Sequence, residues 1–547
     1  MAQQIFRLNL RSADFPFLSG LYGRTIVYPQ QDMHYIRPNA FSGVDADSNI
    51  GIPQMMFCEN VMPTTYGYES IDYALTIQGL GGATLFDQAF YLRDASENRT
   101  LFVPGISNGT TAKRYTYDAA TNTWNNSDKT VPAGAKVTVA NLKARTFIHA
   151  EFDDEFWEWT GAWALITLTG LTPANIKGLV SANAYLIAYD YTTIYWSSTV
   201  DPTDFLPSLA TGAGSQRILS NKGRIVVCYP IEDGFVIYTT VNTIVARYTN
   251  NTRFPWAFKE IKNSAGIANQ EHAAPQGDGT NLFVFTTNGL MQYTATKGNQ
   301  EFPTVNEFLG CQQMEQYNKA TKNIDLLVLV AYPIVKIEFV ANRWLVISYG
   351  ATSLTHALVY DAALKRWGKL RIDHIDCFEF FGKAGTAGST IALTWAQLPG
   401  TWAQQNNTWN EYGFIISGGA ASLTVPYKSL AFLSTDGSVN VVDFNANTTT
   451  DDSIMLIGRL QFLRAHLWTI QDVEAEGIGS ELQTKLAIWS SLDGLNFSSK
   501  IYPAKNHSQG KSQQWGMRLT ALNHSLAFQG NFNMHTIVAM GKLAGTR

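Results

Sequence analysis

The densest run of ionisable side chains in the chain is Glu151-Phe-Asp-Asp-Glu-Phe-Trp-Glu-Trp159, where carboxylates alternate with aromatic rings. Two carboxyl groups held apart can divide general acid and general base work, as in glycoside hydrolysis. That chemistry brings its pair together from separate elements. Neighbouring acids instead alternate across a strand or crowd one loop, so Asp153, Asp154 and Glu155 read as candidate acids of a lumen or an interface rather than as catalysts. Asp373-His-Ile-Asp-Cys377 offers a metal at most two ligands, because alternation turns His374 and Asp376 to one face and Asp373 and Ile375 to the other. These read as surface polar residues. No His-x-x-x-His, G-x-S-x-G, P-loop or dinucleotide glycine set is present, and Gly79-Leu-Gly-Gly82 reads as a turn. No catalytic residue, cofactor site or metal site is expected.

The four cysteines, Cys58, Cys228, Cys311 and Cys377, are far apart and form no C-x-x-C pair, which excludes a local zinc site or a disulfide framework. Free thiols and a start without basic and apolar signal regions fit production in a reducing cytoplasm. No stretch reaches about 18 uncharged apolar residues, the length of a membrane span; the best, 324 to 340, contains Asp325, Pro333, Lys336 and Glu338. The formal net charge is −4, so no chain-wide basic attraction to nucleic acid exists. Charged residues make up only 15% of the chain against a usual share of about 25%. Much of the surface is therefore uncharged or covered by neighbours, which suits a subunit of an assembly.

The elements around these groups read as strands. From Tyr185 to Tyr293, short apolar runs alternate with turn chemistry: Tyr185–Asp190, Thr193–Ser197, Arg224–Tyr229, Phe235–Thr240, Asn281–Thr286 and Leu290–Tyr293, with Asp233-Gly234 and Asn288-Gly289 at hairpin turns. The pattern Tyr-Asp-Ala-Ala, three residues, then Trp occurs at Tyr117–Trp124 and again at Tyr360–Trp367. In each, the two aromatic ends are expected to pack across a hairpin that Asp helps to turn. Leu326–Tyr332, Lys336–Val340 and Trp344–Tyr349 read as longer strands, the first covered on both faces as an inner strand. Trp395, Trp402 and Trp409 stand seven apart, separated by turn residues. They read either as core tryptophans on short strands or as interface aromatics.

The expected fold is all-β: an extended arm over 1 to 60, a β-propeller-like body over 61 to 450, and a C-terminal antiparallel β module or closing blade over 451 to 547. The Tyr-Asp…Trp hairpins resemble those of kelch-type blades. Ile194-Tyr-Trp-Ser-Ser198, Asp201-Pro-Thr-Asp-Phe205, Gly223-Arg-Ile-Val-Val227, Phe254-Pro-Trp-Ala-Phe258 and Asn288-Gly-Leu-Met291, with Gly51-Ile-Pro-Gln54 and Asn60–Tyr68, resemble tail proteins of short-tailed bacteriophages. That family includes nozzle or hub proteins that end the tail tube. The resemblance spans roughly the first three hundred residues. It implies a non-enzymatic virion protein, a homohexameric ring around the DNA exit channel. By the same resemblance the ring holds the genome in and passes it at ejection, without sequence-specific binding, and attaches to portal-adaptor and tail fibre proteins. The alternative is a carbohydrate-binding or glycosidase propeller, or a tailspike-type receptor-binding protein.

Overall fold

The structure is a computed structural model, and it describes residues 3–9, 54–381, 428–443 and 453–546, apart from short breaks within those ranges. The tryptophans Trp395, Trp402 and Trp409 lie outside the described residues. The chain is nearly all β and is built as a succession of small antiparallel sheets.

Sheet 1 contains Leu85–Phe86, Phe90–Arg93, Arg99–Ile106, Thr111–Asp118 and Thr123–Pro132. Sheet 2 is Val137–Leu142, Arg145–Ala150, Phe156–Trp159 and Trp163–Ile166. Sheet 3 is Gly178–Ala182, Tyr185–Tyr189, Thr193–Trp196 and Gly214–Arg217. Sheet 4 is Ile225–Ile231, Gly234–Thr239, Thr243–Tyr248 and Trp256–Glu260. Sheet 5 is Ala273–Pro275, Asn281–Thr286, Gly289–Thr294 and Gly298–Glu301. Sheet 6 begins with Ile334–Val340, Trp344–Gly350, Leu354–Asp361 and Arg366–His374. Sheet 7 takes Asp376–Phe381, Lys428–Leu433 and Val439–Asp443, and its fourth strand, Asp72–Ile77, comes from the other end of the body.

Hairpin chemistry explains the order. Asp233 and Gly234 turn the first pair of sheet 4, where Ile231 stands opposite Gly234. Trp124 stands opposite Tyr117 with ring centroids 5.5 Å apart, and Trp367 opposite Tyr360 at 4.9 Å. Both hairpins join the last two strands of a four-strand path, in sheets 1 and 6. In the second, the buried Asp361 carboxylate accepts from the Ala363 and Leu364 amides and from Arg343, which satisfies the turn from inside.

Both faces of these sheets are covered. Leu92 and Phe102 of sheet 1 pack with Ile148 and Trp159 of sheet 2, Phe147 and Phe156 of sheet 2 with Leu186 of sheet 3, and Ile187 of sheet 3 with Phe235 of sheet 4. Val236 and Tyr238 of sheet 4 meet Leu282 and Val284 of sheet 5, and Phe283 of sheet 5 meets Ile337 and Ile347 of sheet 6. Val346 and Val359 of sheet 6 meet Leu430 and Phe432 of sheet 7. Finally Ile77, Leu433 and Val441 of sheet 7 pack with Leu101 and Val103 of sheet 1.

The C-terminal module is two packed sheets rather than another four-stranded unit. Ile454–Leu460, Gln483–Ser491, Ser498–Asn506 and Asn523–Gly530 form one with Gln54–Glu59. His466–Gly477, Gln513–Ala521 and Asn533–Thr546 belong to the other, which Gln3–Asn9, Val61–Pro63 and Tyr68–Ser70 also join. Trp468, Trp515, Phe528 and Phe532 fill the space between them. Two parts of the stretch expected to be an arm are thus strands of this module, held by backbone pairing to the chain's last strand and to Ile454–Leu460. Val61 pairs with Lys369, so sheet 6 runs on into the module. A Cβ on Gly368 would stand 2.4 Å from the Val61 carbonyl oxygen, so only glycine fits that junction.

Among the described residues Asn323–Leu329 pairs with Gln313–Asn318 in a two-stranded hairpin. One sequence expectation changes. His374 ends its strand in sheet 6 and Asp376 opens sheet 7, so they stand on different strands, and both are buried, at 3% exposure each, rather than surface polar residues. Neighbouring sheets cover both faces here, so a polar residue in these strands is not thereby at the surface.

The two Tyr–Trp hairpins differ in burial, and that separates their energetic weight. Trp367 is buried whereas Trp124 is half-exposed. Trp367→Ala is expected to cost about 3–5 kcal/mol of unfolding free energy, and Trp124→Ala clearly less, about 1–2 kcal/mol. Denaturant titration of both variants checks the difference.

Candidate functional site

A few charged side chains stand on or near the first strands of sheets 2, 3, 5, 6 and 7, and these meet one another. Lys136, one residue before the first strand of sheet 2, donates to Glu271 at 2.7 Å; Glu271 lies in the short 3-10 turn Gln270–His272 before sheet 5. Lys336 on sheet 6 donates to Asp376 on sheet 7 and lies 3.6 Å from Glu338. The Cys377 thiol donates to Glu338 Oε2 at 2.8 Å. Asp376 Oδ2 accepts the Ala89 amide of sheet 1 at 2.7 Å, and Gln88 Oε1 accepts the Val137 amide of sheet 2 at 3.1 Å. Tyr229 of sheet 4 donates to the Gln270 carbonyl at 3.0 Å, and Lys177 before sheet 3 lies 3.6 Å from Glu151 of sheet 2. A continuous set of polar contacts therefore links all seven sheets.

Burial sets the protonation of this cluster. Desolvation, reinforced by the Asp376 charge, pushes the Glu338 carboxyl up to about 8. Burial opposes the charge on Lys336, but Asp376 and Glu338 overcome it and hold the ammonium well above its ordinary range. Burial likewise raises the Tyr229 hydroxyl and the Cys377 thiol, so neither is a ready nucleophile. Glu271 is held below its usual range by Lys136 in spite of burial. Three ammonium groups, Lys136, Lys177 and Lys336, stand against Glu151, Glu271, Asp376 and Glu338. A proton on Glu338 balances the set.

The acids singled out in the sequence do not act together. Asp153 is buried and faces the field of Arg114, which reaches over from sheet 1; Asp154 is exposed; Glu155 is half-buried. The Arg114 guanidinium lies between the rings of Trp157 and Trp163, 4.2 and 4.5 Å from their centroids, and burial pulls its pKa down to about 9. Glu158 is taken by Arg145, whose Nη2 donates at 2.8 Å. His374 hydrogen-bonds Ser348 Oγ at 2.7 Å and the Ile372 carbonyl at 2.8 Å, and Asp376 belongs to Lys336. Among the described residues no group of three or more His, Cys, Asp or Glu side chains is arranged to hold a metal ion. Also among them, no helix is long and apolar enough to cross a membrane.

Sequence reasoning missed Lys136, Glu271, Lys336 and Glu338 as a unit. Each looks like an ordinary strand-end charge, and the only available hint was Lys336 and Glu338 interrupting an apolar run. Neither protein-family models nor curated proteins give a match to this chain.

Two measurements test these assignments. Burial lowers the rings of His356, His374 and His524 to about 3, 4 and 4, so they stay neutral in the folded chain. Below pH about 6.5 the unfolded chain gains protons that the folded one refuses, and stability falls toward pH 3–4. Glu338 acts in the opposite sense. Unfolded, it ionises near 4.5, and folded it keeps its proton to about 8, so its share of stability declines as pH rises through that interval. Melting curves of Glu338→Gln against the parent should show the alkaline decline reduced and the acid decline unchanged. Separately, Asp153→Asn removes the carboxylate charge facing Arg114 and is expected to destabilise by about 2–4 kcal/mol, whereas Asp154→Asn stays within about 0.5 kcal/mol. Chemical denaturation of the two variants makes that comparison.

Proposed function

We propose that the seven sheets close on one another as a seven-bladed β-propeller, and that the chain is a structural subunit of a short-tailed bacteriophage tail, a nozzle or hub at the DNA exit channel. The closure is supported by the pairwise cores, which run from sheet 1 to sheet 7 and back to sheet 1, and by the mixed origin of sheet 7. A last blade built from both ends of the body locks a propeller whose edges would otherwise be open.

The observation that carries the functional reading is the contact of Lys136 with Glu271. Sheets 2 and 5 are not neighbours in the cycle, so this pair spans the middle of the propeller. The blade axis is then crossed by side chains, and the charged groups there are engaged with one another instead of awaiting a substrate. Such a body works as a rigid block. DNA passes between copies arranged as a homohexameric ring, not through one copy, and the ring sits on a portal-adaptor assembly with tail fibres at its flanks. The resemblance of Ile194–Ser198 and Asp201–Phe205 to tail proteins supports the same reading, since both lie in one blade and the loop that leaves it. No catalytic role is assigned. The channel role of the acids passes to Asp154, which alone of the three is exposed.

Mass measurement and negative-stain imaging of the purified protein, alone and with portal-adaptor rings, test this. A sixfold ring with a central hole, free or on the adaptor, is expected. A monomer that ignores the adaptor and instead binds or cleaves glycans overturns it.

A further inference from the structure

Most exposed large apolar side chains on a protein surface are scattered singly and mean little. One loop departs from that. Between the third and fourth strands of sheet 3, residues 197–213 present Val200, Leu206 and Leu209 at 81%, 51% and 72% exposure. The loop is nonetheless firmly built. Phe205 is buried beneath it, and its amide donates to the Thr169 carbonyl at 2.9 Å, while the Thr169 amide donates back to Thr203 at 2.8 Å. The Ser198 amide donates to the Asp204 carbonyl at 2.7 Å, and the Trp196 indole donates to the Gly212 carbonyl at 2.8 Å. Aliphatic groups on a backbone already fixed lose little freedom when they are covered.

A second feature lies elsewhere on the body. Asp72–Ile77 ends sheet 7, and no described strand pairs with its outer edge. The strand carries neither Lys nor Pro, the usual protection of an open edge. A register shift opposite Val439 and Asn440 accompanies Leu75, which is 54% exposed. The loop leaves sheet 3 and is tied to the segment after sheet 2, so loop and edge lie between two and three places apart in the cycle of seven sheets, about a third of a turn in a propeller. The two contact faces of a subunit in a sixfold ring are separated by the same fraction of a turn. With so few charged residues in the chain, burying both features against another copy removes little hydration of charge.

We infer that a second copy of this chain covers this loop: the 197–213 loop of one subunit docks on the outer Asp72–Ile77 edge of the next, unpaired among the described residues, head to tail, so that the contacts close into a ring. The inference rests on the propeller and ring reading above and adds to it the two surfaces that meet.

Head-to-tail contact has a signature that a symmetric contact lacks. A Val200→Asp, Leu209→Asp double variant loses the loop but keeps the edge, and Leu75→Asp loses the edge but keeps the loop. Each should melt within a few degrees of the parent, since all three positions are exposed, and each alone should fail to form the ring on portal-adaptor assemblies. Mixed in equal amounts they retain one functional contact between them and should give a two-subunit species that grows no further, seen by mass photometry. If either variant forms the parental ring, the contact lies elsewhere and this inference fails while the tail reading stands. If the parent protein forms no ring, alone or on the adaptor, both fail together.

Discussion

The pairing of Asp72–Ile77 with Val439–Asp443 is the contact on which the body depends. Val439, Val441 and Ile77 are buried to 1% exposure or less, so the closing strand contributes apolar cover as well as backbone hydrogen bonds. Sheets 1 and 6 each lay a buried face against sheet 7. Without its fourth strand, sheet 7 loses part of both faces' packing, and two further sheets gain exposed apolar surface. Short four-stranded sheets have little stability of their own. Their neighbours supply it, and the first and last of them depend on this one strand.

The charged groups follow the same economy of placement. A chain with few charged residues brings several of them together between sheets, in partial burial, and gives each a partner. Buried pairs of this kind add little net stability compared with apolar packing, because desolvation opposes the attraction. What they supply is selectivity of register: a slipped strand would strand Lys336 away from Asp376, and a buried unpaired charge is strongly unfavourable. The Arg114 guanidinium, held by the faces of Trp157 and Trp163, shows a second solution, in which ring quadrupoles stand where hydrogen-bond acceptors are absent.

Local chemistry was legible in the sequence and long-range chemistry was not. Asp-Gly and Asn-Gly turns and the Tyr117–Trp124 and Tyr360–Trp367 hairpins depend on residues close in the chain, and each is found in the expected pairing. The partner of Lys136 is 135 residues away, and nothing near either residue marks the contact. A continuous apolar run such as that within Asn323–Leu329 looks the same whether it enters a large sheet or stands in a hairpin. The acids Asp153 to Glu155 were visible as a cluster, yet nothing near them in the sequence shows that Asp153 is buried facing Arg114 of another sheet while Asp154 is exposed.

The mixed origin of sheet 7 also bears on how the chain emerges from the ribosome. Sheets 2 to 5 each pair strands that are consecutive in the chain and can mature as they leave the exit tunnel. Asp72–Ile77 has to wait, since its partner strand is made only after all of those sheets, and Gln54–Glu59 waits longer still for Ile454–Leu460. Until then the nascent chain holds an unpaired strand near its start, a stretch that invites chaperone capture or pairing with another chain on the same message. Translation order thus acts as a timer, keeping the edge proposed to dock a neighbour incomplete until Val439–Asp443 has been made.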